Sequence, residues 1–182
     1  MDQENFDDSL SIKMLRAGTT DAFGSIVEHY QAQIFSYLFR LTREHELARD
    51  LAQDTFVQAY EGILKTQNIT NLRAWLYRIA TNNAYKHFRR AKILSFLSLD
   101  HHKTPVREEV EAEVSEQIEI REALRAVPLN MRICLLLHLV YGFKYREIAA
   151  MQGISEDAVR MRVARGKHAF IQYYQGGKKD EV

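Results

Sequence analysis

Cations gather in two places along this chain. Residues 73–92 hold six lysines and arginines with no acid among them, and residues 158–179 again hold six with none. Such clusters attract a polyanion, and nucleic acid is the polyanion that amide and aromatic side chains set among the cations would suit. In the first cluster Arg78, Asn82, Tyr85, Lys86 and Arg89 follow at steps of four, three, one and three, so they share one outer stripe of a helix, with Arg73 and Trp75 at its head. Rings there can stack on exposed bases while the cations hold phosphates. Trp75 has a second reading as an apolar anchor, the commoner role of a single tryptophan among apolar neighbours.

The second cluster follows a recognisable turn. Residues 145–151 have the pattern of a short helix, Gln152-Gly153-Ile154 that of a turn, and Ser155 that of an N-cap for a helix continuing to about Tyr173. Ala149 is small where two helices would cross, Gly153 can take a left-handed backbone, and Val159 can plug the corner. Glu156 and Asp157 sit where the helix dipole favours negative charge. Val159, Val163, Gly166 and Phe170 share an inward face. Asp157, Met161, Ala164 and His168 lie on the other side, edged by Arg160 and Lys167 and by Arg162 and Arg165. A helix entering a major groove needs side chains near its N-terminus for base edges and cations alongside for phosphates, and this helix has both. The competing reading is that the arginines solvate a surface helix or pair with Glu108, Glu109, Glu111, Glu113, Glu116, Glu119 and Glu122, which only Arg121 offsets.

A third constellation is acidic. Asp50, Gln53, Asp54 and Val57 fall at i, i+3, i+4 and i+7, a polar stripe with an apolar end. It would repel DNA, which leaves a solvated face or a docking face for a basic element of a protein partner.

These groups must be carried by helices. Two prolines, eight glycines and no period-two alternation of apolar residues predict an all-α chain. Phe23, Ile26, Val27, Tyr30, Ile34, Leu38 and Leu41 form one apolar stripe, and Ala48, Leu51, Ala52, Thr55, Phe56, Ala59 and Ile63 another. Residues 65–71 read as a loop rich in Asn68, Thr70 and Asn71, followed by a helix over 72–90 with Leu72, Leu76, Ile79, Ala80 and Asn83 inward. Periodicity fails over 98–105, which resembles a tether. The expectation is two small helical domains joined by a flexible linker, at 1–94, 95–115 and 116–182. Within the second, 118–127 can be helical, Pro128 ends it, and 131–141 forms an apolar helix closed by Gly142.

Other classes fit poorly. A composition 46% hydrophobic and 27% charged is that of a folding chain, and the net charge of +1 conceals the segregation of its charges. Cys134 is the single cysteine, so neither an internal disulfide nor a cysteine-rich zinc site is expected. The acidic N-terminus lacks the pattern of an export signal, and the apolar run 133–140 is shorter than the ~20 residues of a membrane helix, so a cytoplasmic location is expected. Cys134 and His138 share a helical face but lie in an apolar helix, and His101-His102 has no third ligand in spacing. No catalytic residue, metal or cofactor is therefore expected.

Taken in order, Ala22-Phe23, Asp50-Leu51-Ala52-Gln53-Asp54-Thr55-Phe56, Trp75-Leu76-Tyr77-Arg78-Ile79-Ala80-Thr81-Asn82, and Tyr145-Arg146-Glu147-Ile148-Ala149 through Arg165-Gly166-Lys167 resemble a bacterial sigma factor of the extracytoplasmic-function group. This is the compact sigma-70 type with regions two and four alone. The resemblance implies a monomer that binds core RNA polymerase and directs it to promoters. It gives Asp50, Gln53, Asp54 and Val57 to the clamp helices of the largest polymerase subunit. It gives Asn68, Thr70, Asn71, Arg73, Trp75, Arg78, Asn82, Tyr85, Lys86 and Arg89 to the minus-ten element, where a base is flipped out. Ser155, Asp157, Arg160, Met161, Arg162, Ala164, Arg165 and Lys167 would read the minus-thirty-five element while the domain rests on the beta flap. Lys86 stands where many relatives carry an acid. An anti-sigma factor is a further implied partner, and no small-molecule substrate is implied. The alternative is a stand-alone helix-turn-helix DNA-binding regulator, which would dimerise on a palindrome.

Overall fold

The computed structural model describes residues 6–97 and 115–177. Most of the expected linker, with His101, His102, Glu108, Glu109, Glu111 and Glu113, lies outside the described residues, as do the first five residues and the last five. The chain divides into two compact units, Met1–Leu99 and Asp100–Val182. Every regular element among the described residues is a helix.

The first unit contains α1 (Asp8–Arg16), α2 (Asp21–Thr42), α3 (His45–Lys65) and α4 (Leu72–Leu97). The last three are long and apolar on the faces they share. Ile26, Ile34, Leu38 and Leu41 of α2, Ala48, Ala59 and Ile63 of α3, and Leu72, Leu76, Ala80 and Ala84 of α4 are fully buried or nearly so. Alanines at these contacts let the helix axes approach closely. Two tyrosines join this core although no stripe called for them: Tyr37 and Tyr77 are wholly buried, with ring centroids 5.1 Å apart. The Tyr37 hydroxyl shares a 2.7 Å hydrogen bond with Thr81, which removes the cost of enclosing it.

Two departures from the sequence reading stand out. The short α1 was not expected; Asp7 caps it by accepting the Leu10 N–H at 3.0 Å, and Ile12 and Leu15 bury it against the bundle. The Tyr30 hydroxyl donates to the Asp8 carboxylate at 2.9 Å, and burial pushes the Asp8 acid above its ordinary range despite that bond. The second departure is at α4, which runs to Leu97 rather than Arg90 because neither glycine nor proline interrupts the residues that follow.

The second unit contains α5 (Ser115–Ala126), α6 (Leu129–Leu139), α7 (Tyr145–Gln152) and α8 (Glu156–Gly177). Residues 133–137 are buried on every side of α6, while α8 is the helix that packs against all three others of the unit. Gly142 ends the turn after α6 at φ 72°, and Gly153 joins α7 to α8 at φ 65°, both in the left-handed region that glycine tolerates. Val159 is fully buried at that corner. Gly166 brings α8 against α6, since an added Cβ would stand 3.3 Å from Met131.

Trp75 is positioned by a glycine. A Cβ at Gly62 would fall 2.6 Å from the edge of its six-membered ring, so the indole packs edge-on against the α3 backbone where only a glycine leaves room. Gly62→Ala gains about 1 kcal/mol of helix propensity but forces the ring away at a cost of ~1–3 kcal/mol. Net destabilisation in urea unfolding is expected, together with its reversal when Trp75→Leu is added. A stabilised Gly62→Ala protein would mean that the ring can move aside freely.

Candidate nucleic-acid and docking surfaces

Along α4, Arg78, Asn82, Lys86 and Arg89 are exposed and Tyr85 is half-buried, so the stripe read from spacing is one continuous surface. Its head is different. Arg73 is half-buried with its guanidinium 5.6 Å above the Tyr77 ring, and Trp75 packs on Gly62, so both face the bundle more than solvent. In the preceding loop Asn68 and Thr70 are exposed. Asn71 is engaged as the N-cap of α4, its Oδ1 accepting the Ala74 N–H at 2.8 Å.

At the turn of the second unit, the Ser155 hydroxyl accepts the Ala158 N–H at 3.2 Å and so caps α8 as its type and position required. Glu147 similarly reaches back to the Lys144 N–H at 2.7 Å and starts α7. Asp157, Arg160, Met161, Ala164, Arg165 and Lys167 are exposed on α8. Arg160 is held loosely by two neighbours: Asp157 at 3.7 Å one turn back, and the Tyr145 ring 5.9 Å beneath its guanidinium. Tyr145 in turn leans on the His138 ring, 4.3 Å away, while the His138 Nδ1 pairs with the Phe143 carbonyl at 3.0 Å.

Arg162 does not join this exposed set. It is half-buried and donates to Gln152 Oε1 at 3.1 Å, while Gln152 Nε2 lies 3.6 Å from the Cys134 sulfur. Spacing placed Arg162 beside Arg165 on the outer edge. The structure turns it toward the turn of α7, where it ties the start of α8 to the domain.

On α3, Asp50, Gln53, Asp54 and Val57 are all exposed. Gln53 and Val57 also line a groove of about 840 Å³ between α2 and α3, with Phe23, Val27, Phe56 and Tyr60. The Phe23 and Tyr60 rings meet edge to face at 5.1 Å. Phe23 and Val27 were expected in the buried stripe, yet they are half-exposed. The apolar arc of α2 is wider than one helix contact can cover, and that excess width was visible in the sequence.

The comparisons with known proteins follow the same two units. Sigma-70 region 2 matches residues 26–93, and Sigma-70 region 4 matches residues 117–169. The chain belongs to the sigma-70 family, in its extracytoplasmic-function group. It is 27% identical over 181 residues to the RNA polymerase sigma-H factor of Pseudomonas aeruginosa, covering 92% of this chain and 94% of that protein. It is also 27% identical over 173 residues to the ECF RNA polymerase sigma factor SigW of Bacillus subtilis, with coverages of 87% and 91%. In fold it is similar to CnrH, solved in complex with the cytosolic domain of CnrY, at a TM-score of 0.70, 22% identity and coverages of 93% and 97%. RpoE from Bartonella quintana, solved with the anti-sigma factor NepR, gives a TM-score of 0.69, 21% identity and coverages of 84% and 96%.

The region 2 match thus takes in α3 and most of α2 and α4, while region 4 takes in the helix-turn-helix. A stand-alone regulator would leave the region 2 match without a purpose. Among the described residues no helix is long and apolar enough to cross a membrane, and no cluster of three His, Cys, Asp or Glu side chains could hold a metal ion.

Cys134 of region 4 is fully enclosed, and burial pushes its thiol above the ordinary value although the Arg162 guanidinium acts the other way. The thiolate needed for nucleophilic attack is thereby suppressed. Iodoacetamide at neutral pH is therefore expected to label Cys134 in proportion to the fraction of region 4 that is open, so that the labelling rate climbs with the unfolded population in urea. Rapid labelling of the native protein would contradict this enclosure.

Proposed function

We propose that this protein binds core RNA polymerase and carries it to promoters, with region 2 docking on the enzyme and opening the minus-ten element and region 4 reading the minus-thirty-five element as duplex. The observation that carries the reading is that one helical bundle bears two exposed stripes of opposite character. The acidic stripe of α3, Asp50, Gln53, Asp54 and Val57, beside the apolar groove, suits the clamp helices of the largest polymerase subunit. The cationic stripe of α4, Arg78, Asn82, Lys86 and Arg89 with Tyr85, suits single-stranded DNA.

Within region 2, Asn68 and Thr70 are the groups best placed to hold a flipped base. Asn71, Arg73 and Trp75 support that site from below. In region 4, Arg160, Met161, Ala164, Arg165 and Lys167 face the major groove, Asp157 restrains Arg160, and Ser155 and Arg162 hold the reading helix in place. The beta flap is the proposed seat of region 4 on the polymerase. The fold likeness to RpoE with NepR supports an anti-sigma factor as a further partner. The protein is proposed to act in the cytoplasm as a monomer when free, without catalytic residues of its own, and its domains are proposed at 1–94 and 116–182 around a linker.

Transcription in vitro with purified core polymerase and a promoter library tests partner and selectivity together. Replacing Arg160, Arg165 and Lys167 by alanine is expected to reduce minus-thirty-five discrimination by about 1–3 kcal/mol per lost base contact and to flatten the salt dependence of binding, with core affinity retained. An unaltered promoter profile would remove α8 from that role. Asp50→Lys with Asp54→Lys is expected to weaken docking on core polymerase at least tenfold, on the order of 1.4 kcal/mol, because both charges oppose a basic partner. Full affinity in the double variant would leave these residues as a solvated face.

A further inference from the structure

Arg16, in the last turn of α1, reaches a distant part of the chain. Its Nε–H donates to the Ile63 carbonyl at 3.1 Å, 47 residues away, and an Nη donates to the Thr66 carbonyl. These oxygens belong to the C-terminal end of α3, where helix carbonyls lack partners within the helix and the dipole is negative. Thr66 is the residue at which the chain leaves α3 in extended conformation. Arg16 therefore fixes the point of departure of the α3–α4 loop. The other end is fixed by Asn71, whose side chain accepts the Ala74 N–H and whose carbonyl accepts the Trp75 N–H at 3.1 Å. Only residues 67–70 remain between the two anchors, and all of them but Ile69 are exposed.

We propose that Arg16 is a positioning residue for promoter opening: it holds the α3–α4 loop in the shape in which Asn68 and Thr70 capture an unstacked base. This rests on the base-capture role given to the loop above. A loop anchored at both ends loses fewer conformations when it closes on a base, so more of the contact energy appears as discrimination. Two carbonyls three residues apart call for a planar group with diverging donors, which a guanidinium supplies and an ammonium does not. Ile12 and Leu15 bury α1 on their own account, so the helix does not depend on Arg16 for its seat. Arg16 also precedes the Sigma-70 region 2 match, which starts at residue 26.

The test uses full-length protein bound to core polymerase and four fork-junction DNAs that differ only in the unpaired minus-ten base of a promoter the wild-type holoenzyme transcribes. Discrimination among the four, affinity for core polymerase and the thermal midpoint are read for wild type, Arg16→Ala, Arg16→Lys, Arg16→Gln and Asn68→Ala. Arg16→Ala is expected to lose about tenfold of the discrimination while core affinity stays unchanged. Arg16→Lys should recover part of it, because the positive charge at the end of α3 remains. Arg16→Gln, whose amide still reaches one carbonyl, should fall between and serves if the alanine variant does not fold. Discrimination that Asn68→Ala abolishes and every Arg16 variant retains overturns the positioning role and leaves the loop assignment standing. Discrimination indifferent to Asn68 and Arg16 alike overturns both. A fall in core affinity that matches the fall in discrimination also overturns the proposal, since Arg16 would then support the whole bundle.

Discussion

The Asn83 side chain is enclosed between α3 and α4, where its amide donates to Thr55 at 3.3 Å and its carbonyl accepts from Gln58 at 3.0 Å. Thr55 in turn donates to the Leu51 carbonyl at 2.7 Å. A buried amide with its partners in place contributes only about 1 kcal/mol net, whereas one left without them costs ~1–3 kcal/mol. The asymmetry fixes register. Sliding α4 by one turn along α3 would strand Asn83 and lift the Trp75 ring from Gly62 onto residues that carry a Cβ. Apolar packing alone would tolerate the slip better, because alanines and leucines recur along both helices. The acidic stripe of α3 and the cationic stripe of α4 are consequently held as two faces of one rigid body, so a protein docked on one face has a defined relation to a strand held by the other.

Region 4 solves a related problem with different chemistry. Arg160 and Arg162 are of one type and two residues apart, yet they end in different environments. Arg160 rests over Tyr145 and remains exposed, while Arg162 turns inward to Gln152. The inward arginine stabilises the turn, and the outward one has its guanidinium set over an aromatic ring before any DNA arrives. Ordering a long side chain in advance reduces the entropy lost on binding. The His138 ring beneath Tyr145 and its bond to the Phe143 carbonyl extend that support into α6.

Much of this organisation was legible in the residues. Glycine at 153, serine at 155 and valine at 159 each have one physical use in a helix-turn-helix, and each was found in it. The stripe of α4 followed from charge and period alone. Long-range pairing was less visible. Nothing in the neighbourhood of Arg16 points to carbonyls 47 residues later, and a tyrosine such as Tyr37 reads as interfacial until its hydroxyl partner is known. The groove turns on width: the apolar residues of α2 form one arc in the sequence, although only part of that arc finds a neighbour in the bundle. Arg162 shows the limit of helical wheels, since one side chain can reach either edge of its face and the turn decides which.

Charge segregation explains why a chain of net charge +1 can still be built for DNA. Each exposed cation that meets a phosphate releases about one counterion, and a surface of three or four such cations reaches only the weak, salt-sensitive regime of non-specific binding, roughly 10⁻⁴ to 10⁻⁶ M at physiological salt. On the proposed function, neither α4 nor α8 would then hold a promoter by itself. Two weak surfaces in one chain reinforce each other most when their separation matches that of the two DNA elements, because effective concentration is greatest when the span fits and falls as the connection becomes longer than needed. A polymerase that seats both regions supplies that distance. Modest patches are then an advantage: the free chain avoids lodging on random DNA, and strong binding is reserved for the assembled enzyme at a site where both elements occur at the spacing the enzyme imposes.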